Sequence, residues 1–372
     1  MKNKTKVISV VLFLSVVIIF VSCGNQKAEW KGTIEEENGV TVVKNPKEPM
    51  FGEDIFSLEE ELSIGGQDKG TDYVFEYVRT IRVDDEENIY VLDMRANSVK
   101  VFDKNGKHIR NFGREGQGPG EFRAPGGMHI IFGKEIMISS IGRISFFSLQ
   151  GEFLRHINQM LWDPNPIPDS EGNIIARIMS PGKKFVEELK KFNSNLEPMF
   201  TIVNIEREPP FPKRKRDAFP TLIYYIVLKD DSIVWGFNNK YLLMVVNKEG
   251  KATRKIIKDY NPIKITEEEK EKFFKERRTL SPEQKERYEF PENYPAFRYI
   301  STDDEGRIFV RTYESDDENN RYYDVFDSEG RYITKIALES HPTFWKKKKL
   351  YCVKEDMEGL HLVKRYKVTW KH

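Results

Sequence analysis

The fourteen residues from Val78 to Val91 match those from Phe297 to Val310 at seven positions, and Arg79 and Arg298 are among the identities. A guanidinium presents a planar fork of N–H donors, so two of them converging on one opening would hold a carboxylate or a sulfate bidentately. The alternative is that each arginine ties its own repeat to the next one. His129 is a third candidate, as a ligand contact or a general base. No nucleophile elbow, paired-carboxylate arrangement or cysteine–histidine setting accompanies these residues. The six histidines include no pair at the spacing of a helical zinc site.

Other local patterns invite chemistry less directly. Asp84-Asp85-Glu86-Glu87, Asp303-Asp304-Glu305 and Asp316-Asp317-Glu318 carry the oxygens that a divalent cation needs, but none has the form of an EF-hand loop. The first two fall in equivalent hairpin turns, where an Asp side chain satisfies backbone amides. No cofactor is indicated. Gly116-Gln117-Gly118-Pro119-Gly120 has the glycine content of a phosphate cradle without a helix behind it. The runs Lys213-Arg214-Lys215-Arg216 and Lys346-Lys347-Lys348-Lys349 read as solvated loops, or as contacts to anionic lipid or polysaccharide.

What must position these residues is a repeat. Val101-Phe102-Asp103-Lys104-Asn105-Gly106 returns as Val325-Phe326-Asp327-Ser328-Glu329-Gly330, with weaker copies ending at Gly151, Asn195 and Gly250. The turn residues at 106, 151, 195, 250 and 330 are spaced by 45, 44, 55 and 80 residues. The last step falls to about 46 when a helical insertion of about 34 residues is set aside, and that is the length of a propeller blade. Short β-branched runs bounded by Asp, Asn and Gly make the unit strands and tight turns. The expected fold is all-β: a six-bladed β-propeller with a short α-helical insertion between the fourth and fifth blades. Residues 350–354 and 360–368 supply strands of a sixth unit, and the apolar run at 39–45 is expected to close the ring as its outermost strand. Register is least defined in the third and fourth blades.

The insertion, residues 264–297, contains a capping box at Thr266-Glu267-Glu268-Glu269 and a second helix start at Ser281-Pro282-Glu283-Gln284. Phe273, Phe274, Arg277 and Leu280 give it an apolar side, so it is expected to pack across one face of the ring as a cap, or to act as a lid over the channel.

Phe112-Gly113-Arg114-Glu115-Gly116-Gln117-Gly118-Pro119-Gly120-Glu121-Phe122, followed by Pro125, resembles the interblade signature of NHL-type repeats. Tyr294-Pro295-Ala296-Phe297 and the closing Lys364-Arg365-Tyr366 are similar to the six-bladed propeller lipoproteins of bacterial envelopes. The resemblance implies architecture more than activity, since such families mostly lack an assigned one.

The N-terminus resembles a lipoprotein signal. Lys2, Lys4 and Lys6 precede an apolar stretch at 7–21, and Phe20-Val21-Ser22-Cys23 ends it like a lipobox, with Phe20 where leucine is more usual. A fifteen-residue stretch falls short of the ~20 residues of a membrane span, which is the other reading. The expected organisation is a signal peptide over 1–22, a diacylated (palmitate-bearing) Cys23 with a tether over 23–38, and a propeller over 39–372. Cleavage leaves 57 basic and 59 acidic residues, a net charge of −2 with no basic field for nucleic acid. Cys352, the other cysteine, is expected in the core. The functional expectation is a membrane-anchored envelope module, periplasmic or on the outer surface, that binds a ligand or an envelope protein without catalysis. The competing expectation is a hydrolase or lyase of small esters or sugars at the mouth of the central channel.

Overall fold

The computed structural model describes residues 29–158, 163–180, 185–207, 215–277, 279–318 and 320–371. The chain is a six-bladed β-propeller. Blade one comprises strands Val78–Val83, Ile89–Asp93, Ser98–Phe102 and His108–Phe112, ordered from the channel outward. Blade two runs from Gly127–Ile131 to Phe153–Asn158 and blade three from Ile167–Pro168 to Pro198–Arg207. Blade four runs from Ile223–Val227 to Ala252–Lys258, and blade five from Tyr299–Thr302 to Tyr332–Leu338. Neighbouring strands within each blade are antiparallel.

The repeat seen in the sequence is the hairpin between the third and outer strands. In blades one, two, four and five, Gly106, Gly151, Gly250 and Gly330 adopt φ near +85°, and each donates its N–H to the carbonyl three residues earlier. Glycine suits this left-handed position because it has no Cβ. Blade three departs by one residue: the left-handed position is Leu196 (φ +63°), not Asn195, and Leu196 N–H donates to Asn193 O. The Leu196 side chain is buried in the cluster between blades two and three, which offsets its backbone cost.

Six apolar clusters lie among the described residues, one between each pair of adjacent blades. Val99, Val101, Phe122, Met128, Ile138 and Phe147 join blades one and two, and Phe309 stacks on Trp345 at 4.5 Å between blades five and six. Each blade buries both faces only against its neighbours, so the ring stands or falls as a closed circle.

Closure differs from the sequence expectation. Blade six consists of His341–Lys346, Lys349–Glu355 and His361–Trp370, and its outer strand is Phe56–Ile64, not 39–45. Phe56–Ile64 pairs antiparallel with His361–Trp370 from Ile64↔Val363 to Phe56↔Trp370. Its apolar alternation is interrupted by Glu59-Glu60-Glu61, which made it inconspicuous. Those glutamates meet a basic strand: Lys364 reaches Glu60 at 2.8 Å and Arg365 reaches Glu61 at 3.1 Å. The more apolar Val40–Asn45 instead adds a parallel strand outside blade four, paired with Ala252–Lys258. There Val42 and Val43 are fully buried, and Asn45 bridges to blade five by accepting from Tyr332 N–H (2.7 Å) and donating to Gly330 O (2.9 Å). The folded unit also begins earlier than 39. Thr33–Glu37 forms a hairpin with Val40–Asn45, and Trp30 Nε1 donates to Asn45 Oδ1, so much of the expected tether over 23–38 is structured. The signal segment 1–22 and Cys23 lie outside the described residues.

The insertion holds two helices between blades four and five, α1 (Glu267–Glu276) and α2 (Pro282–Lys285), each with a complete capping box. It is pinned by two short pairings, Lys264 with Asn293 and Arg216–Asp217 with Tyr288–Glu289. Phe219, Phe273, Phe290, Tyr294 and Tyr313 form the aromatic cluster that seats it.

If Phe56–Ile64 closes the ring, Ile64→Ala should cost about 2–5 kcal/mol by removing a fully buried side chain, whereas Ile34→Ala on the exposed hairpin strand should change stability by no more than about 0.5 kcal/mol. Urea denaturation of the two variants checks this, and equal midpoints would contradict the assignment.

Candidate functional site

Strand direction sorts the loops. Turns between inner and second strands, and between third and outer strands, all lie on one end of the ring. The interblade connections, the turns between second and third strands, and the insertion lie on the other. Arg79 and Arg298 lead their inner strands, so both open onto the insertion end.

A cavity of about 1280 Å³ occupies the channel at this end. Its wall is cationic and aromatic: Arg79, Arg82, Arg177, Arg298, Arg311 and Arg321 line it with Tyr77, Tyr224, Tyr225, Tyr294, Tyr299 and Tyr313. Glu269, Lys272, Phe273, Glu276 and Arg277 from α1 and its C-terminus complete the lining, so the insertion covers part of the mouth.

The carboxylates of this wall are largely engaged elsewhere. Asp163 accepts from Tyr225 Oη at 2.7 Å and pairs with Arg177. Glu269 caps α1, Glu314 pairs with Lys335, and Glu339 pairs with Lys354. Among the described residues, no carboxylate lies within ion-pair distance of Arg79, Arg82, Arg298, Arg311 or Arg321. Arg79 Nε donates to Gly126 O at 3.1 Å, so this arginine does tie blade one to the entry of blade two while remaining exposed. The Arg298 guanidinium sits over the Tyr313 ring at 5.8 Å.

Blade five carries the densest part of the wall. Tyr299, Arg311 and Tyr323 are register partners on three adjacent strands and therefore share one face. Burial lowers the Arg311 pKa to about 10, and repulsion from Arg298 and Arg321 adds to that effect. Arg311 Nε and Tyr323 Oη are buried without a hydrogen-bond partner. Buried polar atoms are normally satisfied, and an unpaired guanidinium N–H facing other cations selects for an anion.

Arg82 lies deeper. Its Nη1 donates to Ile81 O at 2.8 Å, its Nη2 contacts His129 Nδ1 at 3.3 Å, and its guanidinium stacks over Phe344 at 5.1 Å. Burial brings its pKa down to about 10, still cationic at neutral pH. His129 is held well below the usual histidine range by burial first and by Arg82 second. With Nδ1 accepting from Arg82, Nε2 carries the proton and donates to Asn165 Oδ1 at 2.9 Å. Both ring nitrogens are engaged, so His129 orients Arg82 and does not present a base to the cavity.

The structure thus places Arg79 and Arg298 on one channel and sets His129 beside it. Sequence reasoning missed Arg82, Arg311 and Arg321. Arg82 is hidden by the repeat comparison, since its counterpart is Ser301. Arg311 had a readable signal, a charge in the second strand after the apolar run Ile308-Phe309-Val310.

The remaining motifs are structural. Asp84 and Asp303 accept from the backbone amides of Asn88 and Arg307 four residues on, as does Asp316 from Asn320. The glycine loop is folded around its own anion: Glu121 accepts from Gly118 N–H at 2.7 Å and pairs with Arg114, and these contacts lower its pKa. Lys346 and Lys349 reach Asp85 and Glu87, riveting blade six to blade one at the opposite end of the ring. Lys213 and Arg214 lie outside the described residues, while Lys215 pairs with Glu289. Cys352 is buried, its thiol pushed up to about 11 by burial. No group of three metal-ligating side chains converges among the described residues, and no helix there is long and apolar enough to cross a membrane.

Comparison with known proteins agrees with this architecture. Residues 69–174 match a family described as 6-bladed beta-propeller. A protein described as exported, from Bacteroides fragilis, shares the fold at 12% identity and a TM-score of 0.57, covering 89% of this chain and 100% of its own. A member of the DUF4221 family from Bacteroides vulgatus does so at 14% identity and a TM-score of 0.51, covering 85% of this chain and 99% of its own. No curated protein matches the sequence. At such identities the likeness is one of fold.

Arg82 is a half-buried cation with no carboxylate partner among the described residues, and such a charge works against folding, so Arg82→Met should raise stability by about 1 kcal/mol in chloride buffer. Urea midpoints for wild type and variant check this. A destabilised variant would make Arg82 part of a structural network.

Proposed function

We propose that this protein is a lipid-anchored module of the bacterial cell envelope that binds a small organic anion in its channel, without catalysing a reaction on it. The observation that carries the reading is the set of five arginines, Arg79, Arg82, Arg298, Arg311 and Arg321, that line one cavity with no carboxylate partner among the described residues. Like charges gathered in a partly dehydrated channel cost free energy in the empty protein, and an anion that spans them recovers it. Tyrosines supply flat apolar faces and hydroxyl groups for the body of such a ligand. The envelope address rests on Lys2, Lys4, Lys6, the apolar stretch and Cys23. A tether there would hold the propeller at a membrane while leaving its channel free. The engaged nitrogens of His129 favour binding over general-base chemistry.

Two experiments test the two halves. Citrate or sulfate, compared with sodium chloride at equal ionic strength, should raise the melting temperature of the wild type. Arg311→Gln should abolish most of that rise; identical shifts in the two proteins would refute channel binding. For the anchor, Cys23→Ser should eliminate incorporation of labelled palmitate and move the protein to the soluble fraction, and membrane retention without label would point to an uncleaved anchor.

A further inference from the structure

The channel wall is unbalanced in charge, and the imbalance bears on the valence of what it binds. Nine basic and six acidic side chains line the cavity, an excess of three positive charges. Three of the acids are already answered by other cations, Asp163 by Arg177, Glu314 by Lys335 and Glu339 by Lys354. The excess therefore falls on the five arginines that have no carboxylate partner among the described residues.

Four of those arginines gather around Tyr299. Arg298 precedes it on the inner strand of blade five, and Arg311 is its register partner on the second strand. Arg298 N–H donates to Arg311 O at 2.8 Å, which fixes the two residues side by side. From blade one, Arg82 and Arg79 both act electrostatically on Tyr299, Arg82 the more strongly. A small molecule beside Tyr299 thus has cations of two blades around it. A single carboxylate accepts one bidentate guanidinium and leaves the other arginines facing each other. Each further charge on the same molecule meets a cation already in place and binds intramolecularly, without a second cost of association.

Resting on the anion-channel reading above, we infer that the ligand is a small polyvalent anion, of the chemistry shared by tricarboxylates and diphosphates, that bridges Arg79 and Arg82 of blade one to Arg298 and Arg311 of blade five. Affinity in this channel then follows the charge of the ligand. The same bridge ties two blades together across the ring.

The test is isothermal titration calorimetry of the protein in detergent micelles, near neutral pH and at fixed ionic strength. The probes are acetate, succinate, tricarballylate and pyrophosphate. Tricarballylate or pyrophosphate should bind at least about ten-fold tighter than succinate, and succinate tighter than acetate. A lead for tricarballylate identifies a polycarboxylate site, and a lead for pyrophosphate a phosphoryl site. Arg79→Gln and Arg311→Gln, one from each blade, should each remove most of the gain over succinate. Arg79→Lys, which keeps the charge, should retain part of it. The probe series on the wild type stands on its own should the variants misfold. Affinity that does not rise with charge, yet is weakened by Arg311→Gln, would overturn the polyvalent inference and leave the anion channel intact. A gain that survives Arg79→Gln in full would overturn the bridge to blade one. If none of these probes nor citrate binds, both readings fall.

Discussion

Everything in this molecule depends on one antiparallel pairing, Phe56–Ile64 against His361–Trp370. The two segments lie at opposite ends of the folded chain, and joining them turns five local blades and an incomplete sixth into a ring. Until that pairing forms, blades one and six lack a partner for Ile64, Phe75, Val91, Tyr351 and Val363, which make up their shared core. The pairing is stitched by charge as well as by apolar contact, through Glu60 with Lys364 and Glu61 with Arg365. Exposed pairs of this kind contribute little energy, but they select the register of a strand whose apolar pattern is weak.

Closure also creates the channel and brings blade one toward blade five across it. Arg79 and Arg82 come from one side, and Arg298, Arg311 and Arg321 from the other. Tyr299 lies within electrostatic reach of both Arg79 and Arg82. No segment of the sequence holds the site by itself. The site is a property of the ring, and its destabilising charge is tolerated because six apolar clusters outweigh it.

The periodicity of turns made the architecture legible, because each third-to-outer hairpin needs a residue that tolerates positive φ, and glycine fills that place in four blades. The insertion was legible through its two capping boxes, which are short-range signals. The closing strand was not, since hydrophobicity favoured Val40-Thr41-Val42-Val43 over a strand interrupted by three glutamates. Pairing across about 300 residues leaves no local mark of its own. Among the site residues, the repeat exposed Arg79 and Arg298 because they are identities, and concealed Arg82 because it is a difference. Repeats advertise what the fold needs, and the residues specific to one channel stand where the copies diverge.

Native mass spectrometry of the protein, purified from its native cells in a mild detergent, decides whether the channel holds an acidic ligand. The expected result is an acidic adduct at one per chain that is displaced by citrate and absent from Arg311→Gln. A bound neutral molecule or divalent metal, or a chain that emerges bare and still ignores added acidic ligands, would contradict it.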